Sequence, residues 1–104
     1  MAIYVAGKMT GDPFYRQKFH EVVDMLRRHG AIVLHTVDMQ AGLGYESYMR
    51  VGFAMLCECD AIYLIGDWFD SSGARRERRV AEELGREVLC EGQVHIVGGE
   101  MGEY

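Results

Sequence analysis

Short apolar runs alternate along this chain with longer segments whose apolar residues recur every three or four positions. Ala2–Ala6 is apolar throughout and stops at Gly7, the pattern of a strand buried on both faces. Tyr15, Phe19, Val22, Val23 and Leu26 then recur at helical spacing. Asp12 as N-cap and Pro13 in the first helical position would open that helix, Arg27 and Arg28 suit its C-terminal dipole, and Gly30 closes it. A second strand is expected over 31–34, followed by a polar, glycine-containing stretch over 35–44. The next helix should begin near 45–47 and end near 60, turning Tyr48, Val51, Met55, Leu56 and Cys59 inward. The run 61–65 reads as a third strand, 74–84 as a third helix ended by Gly85, 87–90 as a fourth strand and 93–97 as one more.

Strands that alternate with helices, each short and continuously apolar, require right-handed crossovers and a parallel sheet covered on both faces. The expected fold is therefore α/β, a small doubly wound, flavodoxin-like arrangement of three layers. Its parallel sheet would have four to five strands in the order 2-1-3-4(-5). Ligands of such sheets bind beyond the carboxyl ends of the strands, which directs attention to the loops 7–13, 35–44 and 66–73. A chain of 104 residues holds one domain. Within it, 91–104 changes character, with Gly92, Gly98, Gly99 and Gly102 among three acidic residues.

A hydrophobic share of 49% with 26% charged residues is an ordinary globular balance, which excludes a disordered or collagen-like chain. The net charge of -5 argues against generic binding to a nucleic-acid backbone. Cys57, Cys59 and Cys90 form neither a disulfide framework nor a C-x-x-C pair, so a reducing compartment is expected. Neither an apolar run of about 20 residues nor a secretory signal pattern is visible, and the expectation is a cytoplasmic protein without membrane partners. His20, His29, His35 and His95 lack ligand spacing with any cysteine or carboxylate pair, and no metal site is expected.

The third helix carries the strongest chemical signal. Its apolar stripe is Val80, Ala81 and Leu84, and one turn back the same stripe meets Glu77, a carboxylate on the buried side near a helix N-terminus. The dipole favours its ionised form and burial opposes it, which makes Glu77 a candidate nucleophile or general base. A structural role, capping amides or pairing with an arginine, is the competing reading. Arg75, Arg76, Arg78 and Arg79 surround it. Pairs such as Arg78 with Glu82 and Arg79 with Glu83 account for them as a solvated face, and an anionic ligand or acidic partner is the alternative. Upstream, Ser71, Ser72 and Gly73 offer hydroxyls and free helix amides to a phosphate or sugar hydroxyl, with N-capping by Ser72 as the plain alternative. The loop with Gly7, Lys8, Thr10 and Gly11 is a second such seat, although it matches neither a Walker A loop nor a dinucleotide fingerprint.

Several segments together carry a resemblance. They are Tyr4-Val5-Ala6-Gly7-Lys8-Met9-Thr10-Gly11, Tyr48-Met49-Arg50, Cys59-Asp60-Ala61-Ile62-Tyr63-Leu64, and Trp68 with Ser71-Ser72-Gly73-Ala74-Arg75-Arg76-Glu77. In order and spacing the chain resembles the nucleoside 2-deoxyribosyltransferase-like superfamily, in particular its small bacterial and phage branch, over roughly the first nine-tenths of its length. The resemblance implies one such domain over 1–104, with 91–104 divergent. It implies cleavage or transfer of the N-glycosidic bond of a deoxynucleoside or nucleoside 5'-monophosphate, without a cofactor, through a glutamate nucleophile that maps onto Glu77. Tyr4 maps onto a tyrosine that orients the nucleophile, Ser71 onto a phosphate-binding serine, and residues 7–11 onto the loop against sugar or phosphate. Trp68 would stack on a base or pack on its own strand end. The resemblance also implies a homodimer or higher homo-oligomer with a nucleoside or nucleotide as ligand.

One position departs from that pattern. Many relatives carry an aspartate eight residues before Asp60 that assists proton transfer to the leaving base, and here the residue is Gly52. A glycine inside a helix is unfavourable by about 1 kcal/mol relative to alanine and calls for a packing reason. Asp38, Asp67 and Asp70 are the acids available to replace it. A nucleotide-binding regulatory module that has lost turnover is the alternative function.

Overall fold

In a computed structural model, which describes residues 1–40, 42–92, 94–97 and 100–103, the odd and even residues of the first strand point into two different cores. Strand β1 (Ala2–Ala6) sends Ile3 and Val5 to one side, where they meet Phe19, Val22, Val23 and Leu26 of helix α1 (Tyr15–Arg28). It sends Tyr4 and Ala6 to the other side, among Leu56 of α2 (Tyr45–Cys57) and Ala74 and Ala81 of α3 (Ser72–Glu83). Both faces are covered, which is why the strand reads as an unbroken apolar run rather than an alternating one.

The strands β2 (Ile32–Leu34), β1, β3 (Ala61–Leu64) and β4 (Glu87–Cys90) form a parallel sheet in the order β2-β1-β3-β4. The register sets Tyr4 opposite Leu34 on one side and Ile62 on the other. This is the doubly wound, flavodoxin-like fold expected from the sequence, with four parallel strands. Strand β5 (Val94–Val97), which includes most of the run read as one more strand, does not extend that sheet. It pairs antiparallel with β6 (Glu100–Glu103) in a separate two-stranded sheet, and Gln93 lies outside the described residues. The separation follows from chain length. A further parallel strand needs a crossover of a dozen or more residues, and only a few separate β4 from β5.

Helices α1 and α3 end in the same way. Gly30 and Gly85 adopt positive φ (92° and 71°), the amides of Gly30 and Ala31 donate to the carbonyls of Arg27 and Leu26, and those of Gly85 and Arg86 donate to Glu82 and Ala81. These are Schellman closures, in which the left-handed residue satisfies the last helix carbonyls. Asp60 fastens the start of the sheet: its amide donates to the Ala2 carbonyl (2.7 Å) and its Oδ2 accepts from the Ala2 amide (2.8 Å).

Three local expectations need correction. Asp12 Oδ1 accepts from the Phe14 amide (2.9 Å), as an N-cap would, but regular helix begins only at Tyr15 because 13–14 form a turn first. Ser71, not Ser72, caps α3, its Oγ accepting from the Ala74 amide (3.1 Å). Helix α2 is rotated from its predicted stripe: Met49, Gly52 and Leu56 are its most buried residues, while Tyr48, Val51 and Met55 are half-buried. A glycine adds nothing to an apolar stripe, so pattern reading passed over the residue that makes the closest approach.

At the turn after β1, Gly7 is tightly enclosed: a Cβ there would lie 3.0 Å from Ile65 Cβ and 3.2 Å from Phe19 Cζ, so both neighbours would have to give. Gly7→Ala is expected to destabilise the fold by about 1–3 kcal/mol through overpacking, read as a lower urea midpoint at unchanged slope.

Candidate active site

The carboxyl ends of β1 and β3 open into a cleft of about 860 Å³. The loop after β1 contributes Gly7, Lys8 and Thr10, and the start of α3 contributes Ser71, Ser72, Gly73 and, deeper, Glu77. The three loops predicted from sequence, 7–13, 35–44 through Leu43, and 66–73, thus meet at the switch in strand order, where a doubly wound sheet places its ligands. Gly11 and Trp68 are not among the residues that line the cleft. Gly11 turns the loop with a φ of 81°, and the Trp68 ring packs against the α2–α3 core with the Arg78 guanidinium 4.8 Å from its centroid. Of the two readings of Trp68, the packed one describes its position.

Glu77 is only 8% exposed, and the Tyr4 hydroxyl donates a hydrogen bond to its Oε2. The contact spans 73 residues of sequence. It exists because Tyr4 is an even residue of β1, facing α2 and α3, and because Glu77 lies one turn before Ala81 on the face of α3 that packs on the sheet. Burial pushes the Glu77 carboxyl up to about 7 from an ordinary 4.5, against the Tyr4 hydrogen bond and the Arg76 charge, which both act to lower it. Tyr4 is held well above its usual 10, by burial first and the facing carboxylate second, so it remains a donor across the range in which Glu77 titrates. Among the described residues Glu77 Oε1 has no hydrogen-bond partner.

The arginines around Glu77 are turned to other tasks. Arg76 pairs with both oxygens of Glu46 (3.0 and 3.3 Å) and lies over the rings of Tyr45 and Phe53. Arg78 pairs with Glu82 (2.9 Å), and Arg75 donates to the Phe69 carbonyl. The expected partnership of Arg79 with Glu83 does not form. None of these arginines lines the cleft; among the described residues, Lys8 is its one Lys or Arg. Ser71 uses its oxygen as an acceptor for the helix cap, which leaves its hydroxyl proton free to donate toward a ligand.

The three acids weighed as proton donors separate clearly. Asp38 is exposed and bound by His20 (2.8 Å), and Asp67 is bound by Lys18 (3.0 Å). Asp70 lines the cleft and is, beside Glu77, its other carboxylate among the described residues. The sequence reading missed the aromatic wall. Tyr15, Tyr45 and Tyr48 line the cleft together with Met49 and Leu43, and the Tyr48 hydroxyl donates to the Thr36 carbonyl (2.6 Å). Tyr15 and Tyr48 read as core residues by spacing. Their place in the first turns of α1 and α2 was the usable signal, because helix N-termini in this fold lie at the carboxyl edge of the sheet. Among the described residues no group of three or more His, Cys, Asp or Glu could hold a metal ion, and no helix is long and apolar enough to cross a membrane.

Because the folded Glu77 value lies above the unfolded one, the native state binds more protons between pH 4.5 and about 7. The stability this provides is fully present below about 4.5 and is lost as pH rises through about 7, a decline of up to roughly 3 kcal/mol. Urea midpoints measured across that window are expected to fall in the wild type and to flatten in Glu77→Gln.

Residues 1–90 match the family model described as Domain of unknown function (DUF4406). No curated protein matches. Among solved structures, the 2-deoxyribosyltransferase of Leishmania mexicana superposes with a TM-score of 0.69 at 22% identity over 86% of this chain. The chain spans 62% of that protein's length. The 2-deoxyribosyltransferase of the psychrotolerant bacterium Bacillus psychrosaccharolyticus gives a TM-score of 0.69 at 18% identity, over 94% of this chain and 77% of its own. The chain belongs to the DUF4406 family and shares the fold of the 2-deoxyribosyltransferases.

Proposed function

We propose that this protein cleaves or transfers the N-glycosidic bond of a nucleoside or nucleoside 5'-monophosphate, with Glu77 as the nucleophile. The observation that carries the reading is the buried Glu77 carboxylate at the cleft, with Oε2 tied to Tyr4 and Oε1 unengaged, on a fold shared with 2-deoxyribosyltransferases. Oε1 attacks C1' of the sugar as the bond from C1' to the base nitrogen breaks. The bonding pair leaves with the base, which takes up a proton, and a glycosyl ester of Glu77 remains. Attack on C1' by a second base or by water then breaks the ester and regenerates the carboxylate.

The departing base takes its proton from water, and Asp70, beside Glu77 the other carboxylate lining the cleft among the described residues, is the side chain that relays it in this reading, since Gly52 stands where the resemblance expects an acid. Lys8, the Ser71 hydroxyl and the first amides of α3 form the seat for a phosphate or sugar hydroxyl. Tyr15, Tyr45, Tyr48 and Met49 give a base an apolar, aromatic wall. Leu43 and Tyr45 are half exposed at the cleft, where a second copy of the chain would cover them, and the working assembly is a homo-oligomer. Gly52 also favours a second reading, a nucleotide-binding regulatory module of the same fold without turnover.

Incubation with a panel of deoxynucleosides and their 5'-monophosphates, followed by chromatography of free base, decides between them. Release by the wild type that disappears in Glu77→Ala supports the enzyme; release that survives the substitution excludes Glu77 as nucleophile, and nucleotide binding with no release supports the regulatory module. Attack requires ionised Glu77, so release is expected to rise with pH through about 7. Tyr4→Phe removes a hydrogen bond that lowers the Glu77 value and is expected to move that rise to higher pH, with a rate loss on the order of 10- to 100-fold.

A further inference from the structure

Helix α2 meets the Tyr4–Glu77 pair at Gly52. A Cβ at this residue would lie 2.7 Å from the Tyr4 hydroxyl oxygen and 2.8 Å from Glu77 Oε2, closer than real Cβ atoms essentially ever come to a non-bonded atom of a distant residue. The two atoms it would strike are the two that share the hydrogen bond. Backbone conformation does not account for the glycine, since Gly52 is an ordinary helical residue without positive φ. Helix propensity opposes it. What remains is the close approach itself.

We infer that Gly52 is a positioning residue: its bare backbone lets α2 close on the Tyr4 hydroxyl and Glu77 Oε2, which ties one carboxylate oxygen and leaves the other to the cleft. The groups around the carboxylate are Tyr4 from β1, Tyr48 and Gly52 from α2, and Arg76 from α3. Three elements therefore surround one side chain, and α2 approaches it at a residue without a side chain. A side chain introduced at this position forces the Tyr4 hydroxyl or the Glu77 carboxyl to shift.

The inference deepens the proposed function and rests on it in its activity measurement alone. The test is Gly52→Ala made in the wild type and in Tyr4→Phe, which lacks the atom nearest the new methyl group. Thermal unfolding and a carbon-13 NMR titration of the Glu77 carboxyl are read for each. In the wild-type background the substitution is expected to lower Tm and to displace the Glu77 midpoint by about one pH unit. In Tyr4→Phe, where the approach to Glu77 Oε2 remains but the hydroxyl is gone, the loss of Tm should be smaller. Helix propensity acting alone predicts the reverse, an equal rise of Tm in both backgrounds. That result, an unmoved midpoint, or failure to fold in both backgrounds overturns the inference, whereas failure to fold in the wild-type background alone supports it. Base release by folded Gly52→Ala, and by Gly52→Asp, is expected to fall on the order of 100-fold, and unchanged release overturns the inference. A wild type that releases no base removes the proposed reaction and leaves the unfolding and titration measurements to decide the role of Gly52.

Discussion

Moving an ionisable carboxyl out of water is unfavourable by several kcal/mol unless partners replace the lost hydration, and Glu77 is buried with a single hydrogen-bond donor to one of its oxygens. The residues around it are arranged to that end. Tyr4 is fixed by the central strand of the sheet, which is paired on both sides, so its hydroxyl is held by backbone rather than by a mobile loop. Helix α3 is anchored by the Ser71 cap at one end and the Gly85 closure at the other, which sets the rotation that turns Glu77 inward. Helix α2 lies over both through a residue without a side chain.

Charge is distributed to leave that carboxyl without a direct ion pair. Four arginines flank Glu77 in sequence, and a guanidinium turned inward would occupy the oxygen that faces the cleft. Arg75, Arg76 and Arg78 are drawn outward instead, by the Phe69 carbonyl, Glu46 and Glu82. Arg76 also ties α3 to α2 through Glu46, Tyr45 and Phe53, a link across the cleft's edge. Lys18 does the same on the other side of the sheet, bridging Asp12 in the first loop and Asp67 after β3. The acidic total of the chain therefore says little about the cleft, which has its own local balance of one lysine and two carboxylates.

The four-stranded sheet and three helices bury the pair and carry the cleft. Leu43 and Tyr45 remain half exposed beside it.

Much of the fold was legible along the chain because it depends on local spacing. Unbroken apolar runs marked the buried parallel strands, intervals of three and four marked α1 and α3, and Gly30 and Gly85 marked their ends. Glu77 was legible for the same reason, as a carboxylate one turn out of place in an apolar stripe. Tyr4 was legible only through resemblance, since an aromatic in a strand has no periodic signature of function. The remainder was decided by contacts between residues far apart in sequence. Which of two serines caps α3, whether Trp68 faces the cleft or the core, which aspartate reaches the cleft and which face α2 turns inward all depend on how helices seat on the sheet. Gly52 is the clearest case: along the chain it is a weak helical residue and a missing acid, and only the packing of α2 against Tyr4 and Glu77 shows how closely it approaches the pair.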